Sequence, residues 1–265
     1  MITEAFRHSR PVTLPDAVAL LGEDSTPYAG GTELIAAMKL GLVVPEHLVD
    51  LKRIPELCKI SVTEHELVIG SGCTHDQVAR SETVLDVFPM LAALTGQIGN
   101  TRVRTQGTIG GNLCFADPRS DLATGLVAAR ATVDVLGPRG GRLIPVQELI
   151  LGPLATSIEP DELVTSVRVD LRDLDFQEYQ RVAPKERPIV GVCVVGRLSG
   201  WRMVVGAATY QPVWLDADSP DELSTERLLA GVDLMSDSDA SAEYRRHLVD
   251  VLAARIVQPL IGPRR

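Results

Sequence analysis

Two glycine-rich segments limit what this chain can fold into more than any other feature of its sequence. The first runs Tyr28-Ala29-Gly30-Gly31-Thr32-Glu33-Leu34, between a strand-like stretch and a helical pattern. Paired glycines permit a sharp turn and let a ligand approach main-chain N–H groups closely. A helix that begins near Glu33 adds unpaired N–H donors and a positive dipole end. The segment predicts either an anion site suited to a pyrophosphate or a tight turn capped by Thr32.

The second segment runs Gly107-Thr108-Ile109-Gly110-Gly111-Asn112, and Asp121 follows it. Its small residues expose successive N–H groups, while Thr108 and Asn112 add side-chain donors. Asp121 offers an acceptor for a ribose or an adenine edge; the alternative is that it caps a helix. The chain has neither the Gly-x-Gly-x-x-Gly fingerprint nor a P-loop. Together the two segments favour one large dinucleotide held across two sub-domains.

The pattern of apolar residues predicts an α+β fold with two domains. Residues 1–170 would form the first domain, with sub-domains at about 1–56 and 57–170. In the second sub-domain, Leu57–Ile60 reads as a short strand. Residues 171–265 would form a small α+β domain. Its expected elements are a three-stranded antiparallel sheet and two helices: Phe176–Val182, Ile189–Leu198, Met203–Tyr210, Glu222–Leu229 and Ala242–Ile256.

The charge balance argues against one class of partner. The chain carries 26 basic and 35 acidic residues, a net charge of −9, and no dense cluster of Lys and Arg. Nucleic-acid binding requires such clusters, so we expect no nucleic-acid partner. The amino terminus lacks the apolar core of a signal peptide, and no apolar run approaches the ~20 residues that cross a bilayer. We therefore expect a soluble, cytoplasmic protein without a transmembrane segment.

No residue stands out as a metal ligand or as an acid–base catalyst. The four cysteines match no zinc or iron–sulfur spacing, and we expect them to be reduced thiols. The histidines are scattered, and His75 is interpreted as a capping or packing residue. Arg102 and Arg104, close to the second segment, either neutralise a phosphate or form surface ion pairs.

Short motifs follow one another along the chain: Ala29–Leu34, Met38-Lys39-Leu40-Gly41, Ile69-Gly70-Ser71-Gly72-Cys73-Thr74, Ile98-Gly99-Asn100 and Gly107–Asn112. Their order resembles the FAD-binding medium subunits of molybdenum hydroxylases, the relatives of carbon monoxide dehydrogenase and xanthine dehydrogenase. The resemblance covers nearly the whole chain. It implies an FAD-binding domain of the vanillyl-alcohol-oxidase, or PCMH, type in residues 1–170.

The resemblance also implies roles for particular residues. Tyr28–Leu34 and Gly107–Asn112 would hold the pyrophosphate of FAD, largely through backbone N–H groups. Asp121 would bind the adenosine side, and Ile98 would lie near the isoalloxazine. The strand Arg187–Val192 would cover the flavin ring. Family members often carry an aromatic residue or a Lys there, where this chain has Ile189-Val190-Gly191.

The function implied by the resemblance is electron transfer from [2Fe-2S] clusters through FAD to an external acceptor. The molybdopterin cofactor would belong to a large partner subunit and the [2Fe-2S] clusters to a small one, in a dimer of heterotrimers. The flavin would carry the chemistry, so no residue of this chain is expected to be catalytic. Two alternatives remain open: a stand-alone FAD-dependent oxidase or dehydrogenase, and a non-catalytic binding module with structural glycines.

Overall fold

The computed structural model describes residues 5–262 of the chain. The expectation of a mixed α+β fold is confirmed, and the strands form three main sheets and one two-stranded hairpin. The sheets follow one another along the chain, so each can be described by its own segment of sequence. The division of the chain into domains at residue 170 stays a prediction.

The first sheet holds three parallel strands in the order β1-β3-β2. They are β1 (Arg7–Ser9), β2 (Ser25–Tyr28) and β3 (His47–Asp50). Helix α1 (Leu14–Val18) begins after Thr13, whose side chain accepts from the Asp16 amide, and α2 (Leu34–Lys39) joins β2 to β3. The four residues of the central strand are all buried. The expected order of strand, glycine turn, helix and strand is therefore present.

The second sheet holds five antiparallel strands in the order β4-β5-β10-β6-β7. They are β4 (Ile60–Val62), β5 (Glu66–Gly70), β6 (Thr132–Gly137), β7 (Gly140–Pro145) and β10 (Leu163–Asp170). The separate two-stranded hairpin consists of β8 (Ile150–Gly152) and β9 (Ala155–Thr156). The predicted strand Leu57–Ile60 is wrong, because Pro55 starts a 3-10 turn that runs to Cys58. Proline fixes a φ that suits the first turn of a helix.

Seven helices lie between the strands of this second sheet. They are α3 (His75–Arg80), α4 (Glu82–Val87), α5 (Pro89–Thr95), α6 (Thr101–Gln106), α7 (Ile109–Phe115), α8 (Asp121–Ala128) and α9 (Val146–Leu149). Every residue of α8 is buried. This helix packs against both the second sheet's core and the third sheet, so it fixes the position of the second glycine segment relative to the carboxy-terminal strands.

The third sheet has four antiparallel strands rather than the expected three. They are β11 (Leu174–Val182), β12 (Val190–Arg197), β13 (Gly200–Gly206) and β14 (Val213–Ala217). The missed strand β14 lies at the sheet edge, where Asp216 interrupts the apolar pattern. Along β12, Cys193 and Val195 face the core shared with α8, while alternate residues pack on α11 (Ala242–Ile261).

The carboxy-terminal helices also differ in length from the prediction. The expected helix Glu222–Leu229 is a 3-10 turn, Pro220–Glu222, followed by the short helix α10 (Thr225–Leu228). Helix α11 continues to Ile261, past the predicted end at Ile256 and through Pro259. Within residues 5–262, no helix is both long and apolar enough to cross a membrane.

Candidate functional site

The first glycine turn, Tyr28–Leu34, links the end of β2 to the start of α2. Gly31 has a φ of +71°, a left-handed conformation that side chains other than glycine adopt at a cost. Among residues 5–262, no group accepts a hydrogen bond from the backbone N–H of Gly30, Thr32 or Glu33, nor from that of Gly31 between them. The turn therefore presents successive unpaired donors, as the sequence predicted.

The second glycine segment, Gly107–Asn112, is built differently. Gly110 and Gly111 lie in the first turn of helix α7, which Thr108 caps by accepting from the Gly111 N–H at 3.1 Å. The Ile109 and Gly110 N–H groups donate to carbonyl oxygens of the strand-to-helix turn after β5, those of Cys73 (2.9 Å) and Ser71 (2.8 Å). The Asn112 N–H donates to the Thr108 carbonyl. Most of the donors expected to face a ligand are thus used within the protein.

The two segments touch each other. A β-carbon on Gly30 would lie 2.0 Å from the Gln106 carbonyl oxygen and 3.0 Å from the Gly107 Cα. Only glycine lets the backbone of the first turn approach the second segment so closely. The contact brings Gly30 and Gly107, which are 77 positions apart in the sequence, to the same cavity, as the joint interpretation of the two segments required.

That cavity is a cleft of about 480 Å³. Most of the predicted site residues line it: Ala29, Gly30, Gly31, Thr32, Glu33, Leu34, Ile98, Gly107, Thr108, Gly110, Gly111, Asn112 and Asp121. Three do not line it, namely Tyr28, Ile109 and Ile189. Ile109 and Ile189 are buried, and the Ile189 carbonyl accepts from the buried Arg245 at 2.5 Å.

Asp121 lies at the start of α8 but does not cap it, because Ser120 accepts from the Ala123 N–H instead. Its buried carboxylate accepts from the Tyr179 hydroxyl and, at 2.6 Å, from the Arg181 guanidinium. Burial raises the pKa of Asp121, and Arg181 opposes that rise. Burial, together with Asp121, also holds the pKa of Tyr179 well above its usual value. Asp121 therefore joins the cleft wall to strand β11.

The loop between β11 and β12 contributes Glu186, Arg187 and Pro188 to the cleft lining. Its Arg187 bonds Glu33 of the first glycine turn at 2.7 Å and also pairs with Asp117, which follows the second segment. In the same loop, the Glu186 carboxylate accepts from the Asn100 amide at 2.7 Å. Arg187 is thus the side chain that ties together both glycine-rich regions and the third sheet, a role that the sequence alone did not indicate.

The structure places His75 at the cleft, and its burial agrees with the packing role that the sequence offered as one of two interpretations. Thr74 caps helix α3, so His75 does not have the capping role. The ring is 2% exposed, and burial, assisted by the positive charge of Arg104, lowers the pKa of His75 to about 4. The imidazole is neutral at physiological pH. No cluster of three or more metal-ligating side chains occurs in the part of the chain that the structure describes.

A glycine turn with open N–H donors, pressed against a second glycine-rich segment over one deep cleft, defines a protein that binds a nucleotide cofactor. Comparison with known proteins identifies which kind. The family described as "FAD binding domain in molybdopterin dehydrogenase" matches residues 4–170. Because this match covers more than half of the chain, the chain belongs to that family of oxidoreductase subunits.

Individual relatives match over almost their full length. The carbon monoxide dehydrogenase medium chain of Afipia carboxidovorans is 30% identical, with 97% of each chain covered. The nicotine 6-hydroxylase medium subunit of Paenarthrobacter nicotinovorans is 32% identical, with 96% of each covered. A solved structure of carbon monoxide dehydrogenase from Hydrogenophaga pseudoflava superposes with a TM-score of 0.87 at 28% identity, covering 98% of both chains. The expected PCMH-type FAD-binding fold is confirmed.

Proposed function

We propose that this chain is the FAD-carrying electron-transfer subunit of a molybdenum-containing hydroxylase. In this proposal electrons leave [2Fe-2S] clusters on a partner, pass through FAD on this chain and reach an external acceptor. The observation that carries it is the first glycine turn, whose unpaired N–H groups face a cleft in a member of an FAD-binding family. Bound FAD would supply reversible electron transfer, and the protein would supply binding and orientation.

The residues present suit that cofactor. Unpaired N–H groups from Gly30 to Glu33 can donate to pyrophosphate oxygens, and the positive φ of Gly31 turns the backbone toward them. The second segment adds a wall of the cleft whose N–H groups at Gly107 and Gly111 are already bonded within the protein, so it would shape the site rather than donate to the ligand. Ile98, which lines the cleft, supplies an apolar surface for a planar ring. Ile189 is buried outside the cleft lining and is assigned no contact with the cofactor.

Asp121 would serve the adenosine side while remaining bonded to β11. Each carboxylate oxygen has two lone pairs, so a carboxylate that accepts from Tyr179 and Arg181 retains acceptor capacity. Its position on the cleft wall supports that role. The ion pair with Arg181 would also keep the carboxylate in place, because Arg181 is itself anchored to the Gln97 carbonyl at 2.8 Å.

The proposed partners are a large molybdopterin-binding subunit and a small subunit with [2Fe-2S] clusters, arranged as a dimer of heterotrimers. The names "medium chain" and "medium subunit" of the relatives support a place among larger and smaller chains. Those relatives belong to enzymes named for carbon monoxide and for nicotine, although each is similar to this chain over nearly its whole length. The substrate would therefore be selected on another polypeptide.

The first test measures flavin binding by the chain itself. The purified chain is incubated with FAD, freed of unbound flavin and denatured, and the released flavin is identified by chromatography. We expect FAD near one per chain for the wild type and loss of FAD in Gly31→Val. Gly41→Val is the matched control, because Gly41 has a similar φ of +73° but nothing within 4 Å of an added β-carbon. A folded wild-type chain that retains no flavin would contradict the proposal.

The second test addresses electron transfer. The chain is co-expressed with candidate large and small subunits, and the complex is purified through a tag on this chain. Adding a substrate of the large subunit should bleach the flavin absorbance, and an acceptor should restore it. Flavin that stays oxidised while the iron–sulfur signal is reduced would contradict the proposed route.

A further inference from the structure

His75 lies beside the second glycine segment and lines the cleft. Its backbone N–H donates to the Gly107 carbonyl at 3.0 Å, and it is the first residue of helix α3. Thr74 and Gln77 form a capping box that fixes this end of the helix. The backbone of His75 is therefore held on both sides, and its ring has a defined position beside the second segment.

One nitrogen of this ring lacks a partner in the interior. The Nδ1 atom is fully enclosed and makes no hydrogen bond with any of the described residues. A neutral imidazole carries its proton on one nitrogen and a lone pair on the other. An enclosed N–H without an acceptor loses a hydrogen bond to water, and buried N–H groups without partners are rarer than buried lone pairs without them. The proton is therefore assigned to Nε2.

The Nε2 edge of the ring faces the region where the two glycine-rich segments meet. A β-carbon on Gly107 would lie 3.2 Å from Cδ2 and 3.4 Å from Nε2 of His75. The same glycine is approached by Gly30, whose added β-carbon would lie 3.0 Å from the Gly107 Cα. Gly107 therefore lies beside both the His75 ring and Gly30, and His75 lines the same cleft as the first turn.

A positive charge lies behind this position. Arg104 donates to the Ile98 carbonyl at 3.1 Å, to the Gly99 carbonyl at 3.0 Å and to the Thr101 hydroxyl at 3.3 Å. No carboxylate of residues 5–262 forms a salt bridge with it, whereas most arginines near the cleft are paired. Its field favours an anion nearby and disfavours a second positive charge on His75, so a neutral donor suits this location.

We propose that the Nε2–H of His75 donates a hydrogen bond to the pyrophosphate of the dinucleotide held in this cleft. The other donors to that group are the N–H groups of Gly30 to Glu33, and Arg104 contributes its field without touching the ligand. The inference rests on the proposed function, because it presupposes a bound dinucleotide. It adds a side chain to a site that otherwise consists of backbone.

Two variants of His75 are compared with one variant of a control histidine. His75→Gln keeps an N–H donor near the Nε2 position, and His75→Leu fills the volume without a donor. His47→Leu is the control: His47 is also buried, but its Nε2 bonds Ser9 at 2.8 Å on the first sheet, away from the cleft lining. Dissociation constants are measured for FAD and for ADP, which shares the pyrophosphate but lacks the flavin, and thermal unfolding reports the integrity of each variant.

We expect His75→Leu to weaken FAD and ADP binding alike, by about tenfold, the usual effect of one hydrogen bond to a charged group. His75→Gln should stay within about threefold of wild type. Unchanged affinities in folded His75→Leu, or an effect on FAD without one on ADP, would overturn the inference while leaving the proposed function intact. Failure of the wild type to bind FAD would overturn both.

A measurement on the wild type covers the case in which His75→Leu does not fold. In the ¹⁵N-labelled chain, the Nε2–H resonance of His75 should appear or move downfield when ADP is added, and its exchange with water should slow. A side-chain resonance that ADP leaves unchanged, under conditions where the backbone N–H signals of Gly30 and Gly31 shift, would refute the contact.

Discussion

The two glycine-rich segments have similar compositions and opposite uses of their backbone. In the first turn, the N–H groups from Gly30 to Glu33 have no acceptor among the described residues. In the second, the N–H groups from Ile109 to Asn112 all donate within the protein, to Cys73, Ser71 and the capping residue Thr108. The first segment is therefore free to bind a ligand, while the second maintains the shape of the wall against which the ligand lies.

The glycines are needed for different reasons as well. Gly31 adopts a φ of +71°, so it provides a turn. Gly110 lies in a helix and has no unusual φ, but a β-carbon on it would lie 2.5 Å from the Ser71 Cβ. A glycine-rich stretch can thus indicate a ligand site or a close packing contact. Substitutions should separate the two uses, because one should change binding and the other should change stability.

The largest effect is expected for Gly30→Ala, which attacks the contact between the segments. The added β-carbon would lie 2.0 Å from the Gln106 carbonyl oxygen, so one backbone must move. Overpacking against a fixed neighbour costs up to about 3 kcal/mol, equivalent to roughly a 100-fold change in affinity. We expect FAD affinity to fall by about that factor, measured by titration with the purified chain.

The matched control for this variant is Gly22→Ala, because an added β-carbon there has nothing within 4 Å. It should bind FAD like the wild type. If Gly30→Ala bound FAD with wild-type affinity, the close contact between the two segments would not be required for FAD binding.

Gly110→Ala should lower the stability of the fold while changing FAD affinity little, the reverse of what is expected for Gly30→Ala. Its β-carbon meets the Ser71 Cβ at 2.5 Å and the Ser71 carbonyl oxygen at 3.0 Å, and helix α7 is held by short bonds to the same region. We expect the free energy of unfolding in urea to fall by about 2 to 3 kcal/mol, while folded protein keeps its FAD affinity within about fivefold. Gly152→Ala, in open space, is the control. Normal stability combined with lost FAD binding would mean that the second segment is a donor site after all.

The sequence predicted the first turn well because its cause is local. Paired glycines between a strand and a helix determine a turn, and the turn leaves its own N–H groups open. The use of the second segment could not be predicted in the same way. Its acceptors, the carbonyl oxygens of Ser71 and Cys73, come from the turn after β5, and only the folded chain places them beside helix α7.

The contrast between local causes and contacts made only in the folded chain also explains the other differences between prediction and structure. Strand β14 was missed because it is short, pairs only with β13 at the sheet edge, and exposes an apolar Trp214 as well as Asp216, so apolar and polar residues do not alternate along it. Of the two roles expected for His75, packing agrees with its burial and capping does not, because Thr74 caps the helix; its position beside Gly107 depends on the folded chain and could not be predicted. Asp121 lines the cleft, and its bonds to Tyr179 and Arg181 could not be predicted because they depend on how β11 packs.

The burial of the His75 imidazole beside the second segment predicts that the stability of the fold depends on pH. In the unfolded chain its pKa is near 6.5, and in the fold burial lowers it to about 4. Between these values the unfolded chain binds more protons, so stability is full above pH 6.5 and is lost as the pH falls toward 4. The loss at pH 5 should be about 2 kcal/mol. His75→Gln should remove this part of the change between pH 7 and pH 5, measured by urea unfolding. An identical pH dependence in both proteins would mean that the imidazole is not enclosed in solution.

The smallest effect is expected for Arg187→Gln, which removes a side chain that bonds both regions. Arg187 pairs with Glu33 and Asp117, but it is partly exposed, so water and salt screen the pairs. We expect stability to fall by less than about 1 kcal/mol and the difference from wild type to shrink at high salt. FAD should dissociate a few-fold faster, because Glu33 loses the contact that holds the donor-bearing turn, whereas Asp117 follows a segment that its own hydrogen bonds already fix. Stopped-flow measurement of FAD release at low and high salt separates these effects: a rate change that persists at high salt would assign Arg187 a direct contact with the cofactor instead.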